Sequence, residues 1–293
     1  MKSEQRTGVR ISPATWVGVP NAAFFVVFFL LPLASVVVMS LYNDHPVYAP
    51  DAALTLDNYS RVFQDQYNLL VTWNTVRLGL WTTCITLLIG YPFAYWIVRS
   101  SRNSVRILLA LAVMTPMLTG IVVRTYAWMA LLSDSGVINS LLMQSGLISK
   151  PISLMYNEFG IVIALVHIYM PFMVLSLIGV ISKIDISLEQ SAANLGAPPW
   201  RVFIEVTLPL SMPGIAAGSL LVFAMAVSAY VTPALMGGLR IVTLPILIYQ
   251  QIGGTFDPYY ASALGILLLC IALAIFGTHS FIVARISAPK VQK

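Results

Sequence analysis

Six long apolar stretches, separated by polar segments, make up most of this chain. They cover residues 16–41, 78–98, 107–123, 159–181, 215–231 and 260–284. Each reaches or approaches the ~20 residues with which an α-helix crosses a ~30 Å hydrocarbon core. The pattern predicts an all-α, polytopic membrane protein whose six transmembrane helices form one domain, residues 1–293.

The composition is that of a protein in a lipid bilayer. Of the residues, 58% are apolar and 9% are charged, whereas roughly a quarter are charged in soluble domains. No feature calls for a nucleic acid partner. Cys84 and Cys270 lie inside apolar stretches, and we expect them to be buried small side chains. The first stretch exceeds the about 7–15 apolar residues of a signal peptide, which favours a retained anchor.

The distribution of basic residues predicts the orientation in the membrane. If the N-terminus lies in the cytoplasm, 11 of the 16 lysines and arginines fall in cytoplasmic segments. Cytoplasmic loops of membrane proteins carry an excess of these residues. We therefore expect both termini and the polar segment 183–214 to be cytoplasmic. The eleven residues are Lys2, Arg6, Arg10, Arg99, Arg102, Arg106, Lys183, Arg201, Arg285, Lys290 and Lys293.

The stretch 187–215 is polar and amphipathic, and it lies between two apolar stretches. Ser187 and Gln190 have the spacing of a capping box, which predicts a helix start there. Gly196 suits the left-handed residue that ends a helix. Pro199 suits the first turn of a second helix. The pattern predicts a helix, a tight turn and another helix.

The second of these helices carries a set of apolar side chains. One side of it carries Trp200, Phe203 and Ile204. These side chains are expected either to anchor in a groove of a partner or to pack back on the membrane helices. We expect Pro209 and Pro213 to break the helical pattern.

These residues resemble the cytoplasmic EAA loop of the membrane-spanning subunits of bacterial ABC importers that use a separate binding protein. The loop's triplet falls on Gln190-Ser191-Ala192 and its glycine on Gly196; its ends fall on Leu208-Pro209 and Pro213-Gly214-Ile215. In that family the loop contacts a cytoplasmic ATPase, so we call residues 183–214 the coupling segment. Glutamine occupies the family's glutamate position, with Glu189 beside it. The resemblance implies a docking role for Glu189, Gln190, Ser191, Ala192, Gly196, Trp200, Arg201 and Phe203.

The same resemblance implies a type I permease fold in a bacterial inner membrane. Such a permease binds no cofactor or metal, and it assembles with a second permease, two ATPase subunits that use ATP and Mg²⁺, and an extracytoplasmic binding protein. The segment Val227–Arg240 resembles that of spermidine and putrescine permeases, which points to a polyamine. Import of opines, phosphonates or another small solute remains open. The candidate path residues are Tyr230, Thr232, Pro233, Tyr126, Trp128 and Tyr169.

Functions of other classes lack support in the sequence. There is no G-x-x-x-x-G-K-[ST] phosphate loop and no H-E-x-x-H metal motif. His167 is expected either to bond a neighbouring helix or to line the path. The six apolar stretches contain no Asp or Glu, whereas ion-coupled carriers commonly place ionisable groups in the membrane. The missing motifs disfavour an enzyme, and the missing intramembrane acids disfavour the alternative of a secondary transporter or channel without an ATPase.

Overall fold

The computed structural model describes residues 20–21, 23–43, 53–238 and 240–287. The termini, and the first residues of the predicted span 16–41, lie outside these ranges. Within them, extended pairing is limited to one isolated bridge between Tyr42 and Leu54, so the prediction of an all-α protein is confirmed. The helices are α1 Ala23–Ser40, α2 Asp57–Gln64, α3 Gln66–Arg99, α4 Asn103–Met114, α5 Ile121–Leu132, α6 Val137–Gln144, α7 Glu158–Ile181, α8 Ile186–Asn194, α9 Pro199–Val202, α10 Leu208–Val227, α11 Val231–Gly237, α12 Leu244–Gly253 and α13 Pro258–Ser287.

Six helical stretches of the described chain are long and apolar enough to cross a membrane. Two of them begin well before the predicted apolar spans, because polar residues extend the helices beyond the apolar run. The second stretch starts at Gln66, and the fifth starts at Pro199 inside the coupling segment. The six are Ala23–Ser40, Gln66–Arg99, Ile121–Gln144, Glu158–Ile181, Pro199–Val227 and Pro258–Thr278.

The predicted third span, residues 107–123, is interrupted in the structure. After α4 the chain forms a 3₁₀ turn, Thr115–Leu118, and α5 begins only after the extended residue Gly120. Pro116 in this turn has no N–H with which to continue the α-helical bonding. The membrane-length stretch in this region is instead Ile121–Gln144.

Helix α7 is the centre of the bundle, and it packs between α3 and α10. Ile161, Leu165, Met173 and Leu177 are fully buried. Because α7 is apolar on every side, it presents no polar stripe to water, as expected for a helix enclosed by its neighbours.

Glycines allow α10 to approach its neighbours closely. A Cβ atom on Gly214 of α10 would lie 2.9 Å from the Cβ of Val180 in α7. A Cβ atom on Gly79 of α3 would lie 2.6 Å from a methyl carbon of Val227 in α10. Association of membrane helices depends on such contacts between small residues. Helices α3, α7 and α10 therefore form one tightly packed unit.

An ion pair joins α3 to α7 at the end of the bundle opposite the coupling segment. Arg77 Nη2 lies 2.6 Å from Glu158 Oε2. Each residue lies one position before a predicted span, at 78 and 159. Both residues therefore lie just outside the apolar stretches, and the pattern of those stretches did not predict the pair.

A smaller core lies where α2, α12 and α13 meet, and α1 packs along α13. The Arg61 guanidinium lies 4.3 Å from the centre of the Tyr260 ring in this core. Cys84 on α3 and Cys270 on α13 are free thiols on exposed helix faces. The expectation that they are buried within this chain was wrong, because both point away from the bundle.

Candidate functional site

The first helix of the coupling segment is present, with one correction at its start. Helix α8 begins at Ile186 with Asp185 as its N-cap, so the predicted capping box of Ser187 and Gln190 was wrong. The Asp185 carboxylate accepts the backbone N–H of Ser187 at 2.9 Å, and this hydrogen bond lowers the pKa of Asp185. A carboxylate is a stronger acceptor than a hydroxyl, and its negative charge is favoured at a helix N-terminus.

Gly196 ends α8 in the left-handed conformation that the sequence predicted, with φ at +88°. The N–H groups of Gly196 and Ala197 donate to the carbonyls of Ala193 at 2.9 Å and Ala192 at 3.2 Å. These two bonds form a Schellman motif. No heavy atom lies within 4 Å of a Cβ built on Gly196. The turn is therefore fixed by its own backbone and faces open space.

The second helix does not break at Pro209 and Pro213, so that expectation was wrong. Helix α9 begins at Pro199, as predicted, and passes through a π turn, Phe203–Thr207, directly into α10. Pro209 lies in the first turn of α10, and membrane helices tolerate interior prolines because local π or 3₁₀ adjustments re-satisfy the freed backbone groups. The coupling segment is thus continuous with a membrane-spanning helix.

One side of α8 faces the bundle through Glu189. Glu189 Oε1 lies 2.9 Å from Arg99 Nη2 and accepts a hydrogen bond from the Thr207 hydroxyl at 3.0 Å. Glu189 Oε2 accepts a hydrogen bond from the Tyr95 hydroxyl at 3.3 Å. The Arg99 and Glu189 side chains are only 13% and 12% exposed. Glu189 was predicted to be a docking residue, but its carboxylate binds other residues of this chain.

The opposing surface is one face of α3, and the sequence analysis did not identify it. Tyr91, Tyr95 and Arg99 are spaced four residues apart, so they share that face. Tyr91 forms a hydrogen bond of 2.8 Å with the Ser211 hydroxyl of α10. The Phe203 ring meets Tyr91 and Tyr95 edge to face, at centroid distances of 5.5 and 6.1 Å. Phe203 therefore packs back on the membrane helices.

The other side of the coupling segment is exposed and largely apolar. Leu195 is 90% exposed, Trp200 is 65% exposed and Ile204 is 50% exposed. Among the predicted docking residues, Gln190, Ser191, Gly196 and Arg201 are also exposed, and Ala192 is half-buried. Arg201 forms an ion pair of 2.7 Å with Glu205. Large apolar side chains around a rigid turn are typical of a surface that a partner covers.

The six candidate path residues do not form one site within this chain. Thr232 and Pro233 are buried, and the Thr232 hydroxyl lies 2.9 Å from that of Thr125. Tyr169 is buried in α7 and donates to the Met225 carbonyl of α10 at 3.1 Å.

The other candidate path residues are more open. Tyr126 is 55% exposed, and the half-buried Tyr230 packs against Tyr249 with ring centroids 4.8 Å apart. Trp128 donates to His167 Nδ1 at 3.2 Å, so His167 bonds a neighbouring helix. That was one of the two expected roles for this histidine.

Arg124 lies in a membrane-length helical stretch and has no acidic partner among the described residues. Arg124 of α5 donates to the Ile168 carbonyl of α7 at 3.3 Å, and its Nε is buried without a hydrogen-bond partner among the described residues. Among the residues that the structure describes, no three His, Cys, Asp or Glu side chains lie close enough together to bind a metal ion.

Comparisons with known proteins place this arrangement in a family. The sequence model of the binding-protein-dependent transport system inner membrane component matches residues 86–293. The chain belongs to this family. It is 32% identical over 255 residues to the spermidine/putrescine transport system permease protein PotB of Haemophilus influenzae, a match that covers 87% of this chain and 88% of that protein. It is 33% identical over 245 residues to PotB of Escherichia coli, covering 84% of this chain and 88% of that protein.

The fold is that of a type I ABC permease. The chain superimposes on a crystal structure of a bacterial ABC transporter involved in the import of the acidic polysaccharide alginate, with a TM-score of 0.72 and 20% identity, covering 94% of this chain and 96% of that chain. As a family member, this protein is a permease subunit of an ABC importer and a multi-pass inner-membrane protein. The matched region includes the α3 face and the whole coupling segment.

Proposed function

We propose that this permease, together with a second permease chain, forms the path for a small organic cation of the polyamine class. The observation that carries the proposal is that the PotB relatives align over 84–87% of the chain. An extracytoplasmic binding protein delivers the solute, and two ATPase subunits supply the energy. ATP and Mg²⁺ are bound by the ATPases, and this chain needs no cofactor of its own.

The coupling segment is the contact with the ATPases. A cytoplasmic location of the segment and both termini is supported by the basic residues, because that orientation puts 11 of the 16 on the cytoplasmic side. Leu195, Trp200 and Ile204 present an apolar surface around the fixed turn at Gly196. Closure of the ATPases on ATP moves this surface, and α10 carries the movement into the membrane. The path then opens outward to receive the solute, and hydrolysis resets it.

Aromatic faces, backbone carbonyls and acids of a partner subunit are the groups available to bind a cation in this path. The predicted spans contain no carboxylate, whereas Tyr126 is exposed and Tyr230 packs beside Tyr249. An ammonium group over an aromatic face gains about 0.5–2 kcal/mol through the cation–π interaction. Weak, distributed contacts of this kind let a polyamine enter and leave a path.

An anionic solute, such as a phosphonate, is the second candidate, and Arg124 is the observation that favours it. The guanidinium lies at membrane depth without a carboxylate partner among the described residues. Such a charge attracts an anion and repels a polyamine if the solute passes close to it.

Transport by the purified complex tests the proposal and separates the two solutes. The chain is co-purified in mild detergent with its partners, reconstituted in vesicles with the binding protein, and supplied with ATP inside. ATP-dependent uptake of labelled spermidine, without uptake of methylphosphonate, supports the proposal. Uptake of the phosphonate alone favours the second candidate. Transport by the chain alone without ATP overturns the ATP-driven mechanism.

A further inference from the structure

The Arg99–Glu189 pair links two parts of the chain that are far apart in sequence. Arg99 is the last residue of α3, a helix of 34 residues that is about 50 Å long at 1.5 Å per residue. Glu189 lies in the middle of α8, on the side opposite the exposed apolar surface. The pair therefore connects the coupling segment to a helix long enough to cross the whole membrane.

Arg99 makes more than one contact with this region. Its Nε and Nη2 both donate to Glu189 Oε1, at 3.2 and 2.9 Å. The same Nη2 also donates at 3.0 Å to the carbonyl of Ile184, which lies in the loop between α7 and α8. One guanidinium thus holds both the beginning of the coupling segment and its first helix. The planar fork of arginine suits this geometry, and an ammonium group does not reproduce it.

The remaining contacts of the α3 face extend the connection into α10. Thr207, at the end of the π turn, donates to the same Glu189 oxygen that binds Arg99. Phe203 of that turn packs on Tyr91 and Tyr95, and Tyr91 bonds Ser211. Helix α8 therefore contacts α3 through the polar groups around Glu189, and the π turn that leads into α10 contacts the same face of α3 through the Phe203 ring.

We propose that Arg99 and Glu189 are positioning residues that clamp the coupling segment to α3, so that movement of the docked ATPase reaches α3 as well as α10. The inference rests on the proposed docking of an ATPase on the coupling segment. Without the ion pair, α8 keeps only the flanking chain and the hydrogen bonds from the Tyr95 and Thr207 hydroxyls, so part of an imposed movement does not reach α3. Coupling, and not assembly, then depends on the pair.

The ratio of solute imported to ATP hydrolysed by the reconstituted complex tests the clamp. For Arg99→Gln and Glu189→Gln, we expect this ratio to fall at least about fivefold, the lower end of common coupling effects, while the ATPase still co-purifies. The charge swap, Arg99→Glu with Glu189→Arg, restores part of the ratio because it rebuilds the ion pair but not the bond to Ile184. Arg99→Lys keeps the charge and folds, and it gives a smaller fall because it loses the fork.

Glu158→Gln is the matched control. It removes the other ion pair that α3 forms among the described residues, at Arg77, which is far from Arg99 along the helix. It therefore separates loss of stability from loss of coupling. We expect it to lower the thermal stability of the complex without changing the ratio. An unchanged ratio in Arg99→Gln, Glu189→Gln and Arg99→Lys would overturn the clamp. An equal fall in Glu158→Gln would also overturn it, because the effect would then be general.

Failure of the clamp can be distinguished from failure of the docking surface. If the ATPase does not co-purify with the unaltered chain, the proposed docking is wrong. If it co-purifies with the unaltered chain and with every variant, and the ratio never changes, docking stands and the clamp is rejected.

Discussion

Substitution of Gly196 tests the docking surface most directly. It can strain the turn and it can change the exposed surface, and the structure allows these two consequences to be separated. A residue with a Cβ in the left-handed conformation costs about 1–2 kcal/mol, and aspartate tolerates this conformation better than alanine does. No atom lies within 4 Å of the added Cβ, so no steric term adds to this cost. Gly196→Ala therefore strains the turn only, whereas Gly196→Asp strains it less but places a charge on the exposed surface.

Gly146 provides a matched control. It follows α6, has φ at +73° and likewise has open space around its Cβ position. The N–H groups of Gly146 and Leu147 donate to the carbonyls of Met143 and Leu142, both at 3.1 Å. This is the same Schellman motif as at Gly196, at the other end of the protein. The two glycines thus carry the same backbone cost and differ in the surface to which they belong.

We expect Gly196→Asp to insert normally but to lose ATP-driven uptake, with weaker retention of the ATPase on purification. Gly196→Ala should reduce uptake less, in proportion to strain of about 1–2 kcal/mol. Gly146→Ala and Gly146→Asp should each lower the unfolding temperature by about as much as the same substitution at Gly196, and both should leave uptake unchanged. Normal uptake with normal ATPase retention in Gly196→Asp would refute the docking assignment. Equal loss in Gly146→Asp would show that strain alone explains the result.

Three further changes test individual contacts. Trp200→Ala removes the largest exposed aromatic side chain of the coupling segment. It should weaken ATPase binding to the detergent-solubilised permease by about 2 kcal/mol, or roughly 30-fold in Kd. An unchanged Kd would exclude Trp200 as an anchor. Because Arg201 and Glu205 pair with each other, that Kd should change little between low and high salt, and a steep dependence would indicate charged contacts. Tyr169→Phe removes the bond to the Met225 carbonyl and should destabilise the protein by about 1 kcal/mol, seen as a lower unfolding temperature; an unchanged temperature would show that the bond contributes nothing.

Features that depend on local sequence were predictable. The length of an apolar stretch determines whether a helix can cross the bilayer, and the conformational freedom of glycine marks the turn at Gly196. Pro199 begins a helix because its missing N–H is no loss there. The start of α8 was misplaced because Asp185 competes with Ser187 as the cap. The second helix was wrongly ended at Pro209, because single-residue propensity does not describe a π turn that leads into a buried helix.

Features that depend on tertiary contact were not predictable in the same way. Glu189 and Arg99 are 90 residues apart, and nothing in either local pattern pairs them. A weak signal was present in α3, where Tyr91, Tyr95 and Arg99 place polar groups on one face of an otherwise apolar helix end. That spacing indicates a polar contact surface, but the partner becomes known only when α8 folds against it.

Glu189 and the neighbouring Gln190 lie in different surroundings. Neighbouring residues on a helix point in different directions, so Glu189 faces α3 while Gln190 is exposed. The acid at 189 serves the chain's own packing, and the exposed position that carries glutamate in the family carries no charge here. The exposed surface around the turn carries apolar side chains and the Arg201–Glu205 ion pair. Position 190 carries an uncharged glutamine, so it cannot form an ion pair with a partner. We therefore expect a partner to bind this surface by burying Leu195 and Trp200.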